Sequence, residues 1–169
     1  FSANSPNGGR ELWSSNGLSA GTQLLIDLNT GGSSSPHSFL AVGNRLYFAA
    51  THATLGTELY KTDGTSTTTQ MVINLNRNGG SEPELLTKTN GQAVFVASNG
   101  KDGNRELFTS KGIASETKLI DLYPGTEDSS PFGMTQIGND VYFFVRRTNQ
   151  GAEKLYRASG GMGGPVTEI

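Results

Sequence analysis

Short apolar stretches alternate with connections rich in Gly, Asn, Ser and Thr along the whole chain. Residues 38–75 show the unit plainly. Ser38 to Val42 is closed by Gly43-Asn44, and Arg45 to Thr51 runs into a polar loop through Gly56. Thr57 to Thr62 is closed by Asp63-Gly64, and Gln70 to Leu75 leads into Gly79-Gly80-Ser81 and Pro83. Asn or Asp beside Gly tolerates the positive φ of a tight hairpin, so the unit predicts four antiparallel strands. Leu24-Leu25-Ile26, Met71-Val72-Ile73 and Val94-Phe95-Val96 are apolar without strict alternation, as expected of sheets covered on both faces. No window carries a sustained 3.6-residue apolar period with caps, so no helix is predicted.

The unit recurs. Glu11-Leu12-Trp13, Glu58-Leu59-Tyr60, Glu106-Leu107-Phe108 and Lys154-Leu155-Tyr156 place their aromatic residue at intervals of 47, 48 and 48 residues. Asp27-Leu28, Asn74-Leu75 and Asp121-Leu122 follow at 47 and 47, and Pro36, Pro83 and Pro131 at 47 and 48. Leu46-Tyr47-Phe48, Ala93-Val94-Phe95 and Val141-Tyr142-Phe143 keep the same phase. A fixed period in the forties marks a repeat architecture, and small four-stranded units of that period are the blades of a β-propeller.

The predicted fold is therefore all-β: β-propeller blades of four antiparallel strands, about three and a half repeats of 47–48 residues. A single repeat array spans 1–169, with units at 1–29 (partial), 30–76, 77–123 and 124–169. Within a blade, the strand after the Pro is expected innermost and the Leu-Tyr-Phe strand next. The Glu-Leu-aromatic strand follows, and the Leu-Ile-Asp strand lies outside. Leu12, Leu59, Leu107 and Leu155 are expected to be equivalently buried. Phe1-Ser2-Ala3 is in phase with Phe48-Ala49-Ala50, which implies a partial propeller or one completed between chains. The expected partners are other blades of the same parent polypeptide or a second copy of the chain.

Composition narrows the function classes. The formal net charge is −2 and no basic block occurs, so nucleic acid has no electrostatic footprint to bind. The longest apolar run, Val141 to Val145, is too short for membrane insertion as a helix. The chain has no Cys, which excludes disulfides and Cys-based zinc or redox sites.

Glu-Leu-Tyr-Lys-Thr-Asp-Gly-Thr at 58–65 resembles the signature of the bacterial ELWxxDGT repeat proteins. Ala20-Gly21-Thr22, Leu25-Ile26-Asp27-Leu28, Ser34-Ser35-Pro36 and Gly43-Asn44-Arg45-Leu46-Tyr47-Phe48 agree with it, and the match covers essentially the whole chain. The turn is Asn16-Gly17 in the first unit, Lys111-Gly112 in the third and Ser159-Gly160-Gly161 in the last. The resemblance implies a propeller-like module of large secreted or surface bacterial proteins, hence an extracellular or cell-surface location.

The candidate chemistry is sparse. The repeated Glu11, Glu58 and Glu106 read as structural residues, each accepting backbone N–H groups or pairing with an Arg such as Arg10 or Arg105. The replacement by Lys154 argues against a catalytic ring of carboxylates. Trp13, Tyr60, Phe108 and Tyr156 read as packing between blades. Asp63 belongs to the structural turn of the repeat. Tyr123 and Phe132, aromatic residues outside these landmarks, are the candidate ligand-binding positions. Asp27, Asn74 and Asp121, with Asp128 nearby, are the candidate calcium ligands, although an Asx-turn explains them equally well. No other cofactor is implied. His37 and His52 have no partner at metal-ligand spacing, and no nucleophile or phosphate-loop motif is present, so no catalytic residue is nominated. The Gly-rich tail 160–164 reads as a loop.

Three functions follow from different classes. The first is a non-catalytic secreted or cell-surface module that binds a glycan or a protein partner. The second is a structural or assembly element of a larger extracellular complex. The third is a propeller glycan hydrolase or lyase, and fold alone separates none of them. Unlike loops at 4–9, 51–56, 99–104 and 148–152 lower the case for one site repeated in every unit.

Overall fold

A computed structural model describes residues 1–6, 8–100, 104–123, 128–146, 151–160 and 164–169. Parts of the loops at 4–9, 99–104 and 148–152, and the centre of the Gly-rich tail, lie outside the described residues.

The described residues form four antiparallel sheets. The first holds β1 (Ser2–Ser5), β2 (Gly9–Ser14) and β3 (Gln23–Ile26). The second holds β4 (His37–Val42), β5 (Arg45–His52), β6 (Gly56–Thr62) and β7 (Gln70–Ile73). The third holds β8 (Glu84–Thr89), β9 (Gln92–Ser98), β10 (Arg105–Ser110) and β11 (Thr117–Ile120). The fourth holds β12 (Pro131–Ile137), β13 (Asp140–Arg146), β14 (Glu153–Ala158) and β15 (Val166–Glu168). Strands hydrogen-bond in chain order within every sheet, as the hairpin turns predict. Gly43, Gly91 and Gly138 supply the left-handed backbone of three β-hairpins, with φ of 59°, 71° and 62°.

The sheets pack face to face through alternating side chains. Phe48, Ala50 and Tyr60 of the second sheet meet Leu12 of the first. Tyr47, Leu59 and Val72 point the other way, onto Ala93, Phe95, Ala97 and Phe108 of the third. Val94, Val96 and Leu107 then meet Val141, Phe143, Val145 and Tyr156 of the fourth. The second strand of a sheet thus buries successive residues on opposite faces, which accounts for its continuous apolar run. An aromatic pair recurs across each strand pair. Phe48 faces Tyr60, Phe95 faces Phe108 and Phe143 faces Tyr156, with centroids 5.8, 5.6 and 5.9 Å apart. Such pairs add about 0.5–1.5 kcal/mol beyond the area they bury.

Two expectations need correction. Leu12, Leu59 and Leu107 are fully buried, but Leu155 is only half-buried. Its position faces away from the third sheet, beside Phe144, and no further described sheet covers it. Helical structure is also present, as single 3-10 turns at Ser19–Gly21 and Ala114–Glu116. Each occupies the connection between the third and fourth strands of its unit pattern, where a tight turn satisfies local backbone groups without any apolar period.

Candidate functional site

The first strands of successive sheets lie beside one another, with β8 in contact with both β4 and β12. Each of these strands carries a bulge near its start. The residue at the bulge has left-handed backbone each time: Ser38 at φ 55°, Leu85 at 53° and Gly133 at 63°. Each bulge follows the Pro of the repeat by two residues, so the residue immediately after Pro is held at the rim of the sheet. In the third and fourth units that residue is Glu84 and Phe132.

Glu84 and Phe132 border a cleft of about 410 Å³, together with Leu85, Arg105, Asp128, Ser130 and Arg146. That volume falls in the range of small-ligand sites, roughly 300–1,000 Å³. Arg105 comes from the start of β10 and pairs with Glu84 at 2.6 Å, while also donating to the Glu82 carbonyl at 3.1 Å. Arg146 ends β13, pairs with Glu153 and lies 5.5 Å from the centroid of the Phe132 ring. Phe132 also stacks on Phe144 at 5.6 Å. Asp128 is spent on structure: it accepts the Arg105 N–H at 3.1 Å, the Ser130 N–H at 2.8 Å and the Ser130 hydroxyl at 2.8 Å. The cleft therefore offers guanidinium donors, a carboxylate and an aromatic surface, all held in place by partners within the protein.

The remaining sequence candidates separate clearly. Tyr123 is half-buried, packs against the core between the third and fourth sheets, and its hydroxyl lies 2.8 Å from that of Tyr156. It is a core contact rather than an open platform. Asp27 accepts the Asn29 N–H and Asp121 the Tyr123 N–H, both at 3.0 Å, which is the Asx-turn geometry. The Asn74 Oδ1 is buried without a hydrogen-bond partner among the described residues. The structure does not bring Asp27, Asn74, Asp121 and Asp128 together. No group of three or more His, Asp or Glu side chains converges among the described residues.

The repeated glutamates form latches between sheets. Glu11 accepts the Ser34 N–H at 2.8 Å, the Ser34 hydroxyl and the Leu28 N–H at 3.3 Å. Glu58 accepts the Ser81 N–H at 3.2 Å and the Ser81 hydroxyl. Glu106 accepts the Ser129 hydroxyl and N–H. Each latch spans 23 residues, tying the third strand of one sheet to the loop that enters the next. None uses Arg10 or Arg105: Arg10 donates to the Ser2 carbonyl, and Arg105 serves the cleft. Burial pushes Glu58 up to about 7, against the opposing pull of the Ser81 hydroxyl and N–H. Glu106 is raised for the same reason. In the fourth sheet Lys154 instead pairs with Glu168 at 2.8 Å.

Trp13 is half-buried and its indole N–H has no partner among the described residues. Tyr60, Phe108 and Tyr156 sit in the cores between sheets. Asp63 accepts hydroxyls from Thr68 and Thr65, and these hold its carboxyl below the usual range. Sequence reasoning missed Glu84, Arg105 and Arg146 as a group. The available signal was the position after Pro, where His37, Glu84 and Phe132 differ within an otherwise periodic chain.

No known family model matches the chain, and no curated protein matches it. Among solved structures, the chain is similar to the crystal structure of endo-arabinase from Bacteroides thetaiotaomicron VPI-5482, at 14% identity and a TM-score of 0.40. That alignment covers 95% of this chain and 66% of the other. A likeness at that level carries no argument about activity. Among the described residues, no helix is long and apolar enough to cross a membrane.

Proposed function

We propose that the chain is a non-catalytic, secreted or cell-surface module of the ELWxxDGT-repeat kind, and that the cleft around Phe132 binds a neutral glycan. The cleft itself carries this reading. Saccharides present many hydroxyls and apolar C–H faces, which fixed guanidinium donors, a carboxylate and a nearby aromatic ring complement. Arg105 is balanced by Glu84 and Arg146 by Glu153, which favours an uncharged ligand. Glycoside hydrolysis needs two carboxyl groups free to act on the scissile bond. Asp128 is occupied by two N–H groups and a hydroxyl, and Glu84 by Arg105, so binding without turnover fits better.

A glycan array followed by calorimetry tests the proposal. Phe132→Ala and Arg146→Gln should each weaken the best neutral oligosaccharide at least ten-fold, about 1.4 kcal/mol. Binding that survives both substitutions sinks the assignment, as does hydrolysis of the ligand by the wild-type protein.

An assembly role is the second reading, and one observation favours it. Phe144 is 40% exposed on the face of the fourth sheet opposite Phe143, which packs on the third. Equivalent faces between the described sheets are buried, so further blades, from the same polypeptide or a second copy, would complete a propeller by repeating the same packing. Light scattering on the isolated chain checks this: a stable monomer of 17.9 kDa counts against pairing of two copies.

A further inference from the structure

We propose that the opposite end of the sheets carries a separate site for an oxyanion, either the carboxylate or sulfate group of an acidic saccharide or the free anion. A polar cavity of about 280 Å³ lies there, lined by Arg45, Lys61, Thr62, Asp63, Thr67, Thr68 and Gln70. These residues come from the start of β5, the end of β6, the threonine-rich turn and the start of β7, whereas the Phe132 cleft is built from the other strand ends.

Lys61 is the decisive residue. It is 9% exposed, and among the described residues it is the one buried basic side chain. Its ammonium has no hydrogen-bond or ion-pair partner among the described residues, whereas Arg105, Lys111, Arg146, Lys154 and Arg157 are each paired with a carboxylate. The stem is buried while the ammonium opens on the cavity, so a cation held in a fixed place faces any anion that enters.

The fold makes room for it. Gly112 of the third sheet is buried with φ 93°, and a Cβ there would come within 3.2 Å of the Lys61 Cδ and 2.7 Å of the Tyr47 hydroxyl. The bare Cα therefore lets the lysine stem lie along the neighbouring sheet while its head reaches the cavity. Arg45 is anchored by Nη1 on the Lys111 carbonyl at 3.0 Å, which leaves further guanidinium donors. Thr67 adds a hydroxyl, while the Thr68 hydroxyl donates to Asp63. Asp63 carries the one carboxylate of the lining, and its Oδ1 is engaged by the Thr65 and Thr68 hydroxyls. The lining thus carries a net charge of +1, against −2 for the whole chain.

Equivalent positions in the other units hold Ser14, Thr109 and Arg157, the last exposed and paired with Asp140, so among these positions Lys61 is the one unpaired cation. An adjoining apolar pocket of about 300 Å³, bordered by Trp13 and Leu12, shares Arg45, Thr62 and Asp63 with it. That neighbour gives the remainder of a saccharide a place to lie.

Calorimetry with an oligouronate, a sulfated oligosaccharide, a neutral oligosaccharide of equal length, free sulfate and free acetate tests the proposal. At least one anionic probe should bind ten-fold or more tightly than the neutral one, and added salt should weaken it. Preference for saccharide-borne over free anions identifies the source. Lys61→Met keeps the stem and removes the charge, and should lose at least ten-fold in that affinity. Phe132→Ala should leave it unchanged, which separates this site from the neutral-glycan cleft. Thermal shift gives a reading within each variant: saturating anion should raise the Tm of wild type but not of Lys61→Met. Should Lys61→Met fold poorly, Arg45→Gln serves the same comparison. Equal binding of neutral and anionic probes, or full anion affinity in the variant, overturns the proposal.

Discussion

Ionisation of Glu58 should make this fold less stable as pH rises. The carboxyl is fully buried and latched to Ser81 in the loop that enters the third sheet, with burial the dominant influence on its titration. Its folded value of about 7 lies above the 4.5 of an exposed glutamate, so folding favours the protonated form. A carboxyl raised in this way contributes its stability in full below the unfolded value, and loses it as pH climbs through the folded one. The window therefore runs from about pH 4.5 to slightly above pH 7, and the shift corresponds to roughly 3 kcal/mol lost across it. Glu106 is raised by the same burial and adds to the loss with the same sign. Asp63 and Asp140 are held low, so their stabilisation fades only at more acidic pH and does not mask the effect. Urea unfolding at pH 5, 6, 7 and 8 reads the slope directly. Glu58→Gln, which cannot ionise, should flatten the profile by about that amount. Stability that rises from pH 5 to 8, or a variant with the slope of wild type, would refute the reasoning.

Other expectations follow from the packing. Leu59→Ala should cost about 2–5 kcal/mol in denaturant unfolding, whereas Leu155→Ala on the half-covered face should cost well under that. Equal losses would mean that Leu155 is buried in solution. Gly133→Leu should destabilise by about 1–2 kcal/mol because its φ of 63° is left-handed, and Leu85→Gly should be neutral or stabilising by up to about 1 kcal/mol. Matching changes in the two Tm values would show that these bulges relax.

The sequence by itself determined the period, the four-strand unit and the strand order. Those features rest on local chemistry: Gly43, Gly91 and Gly138 permit the hairpins, and apolar runs such as Val94-Phe95-Val96 suit strands buried on both faces. The same reasoning gave Glu11, Glu58 and Glu106 either backbone N–H groups or a neighbouring Arg as partners, because a recurring buried charge needs a local partner, and the structure chose the first. It did not find the serine 23 residues on, since a contact across two sheets leaves no trace in either segment alone. Tertiary structure alone decided that Tyr123 turns inward to Tyr156 while Phe132 stays at a cleft. Two aromatic residues outside the repeat landmarks read alike until their neighbours are known. It also decided that the Lys61 stem is buried while its ammonium lines a polar cavity, because the room for that stem comes from Gly112, which lies 51 residues away in the turn after β10. Side chains converge on a site through the stacking of sheets, and that stacking is set by the sum of many apolar contacts rather than by any motif at the site.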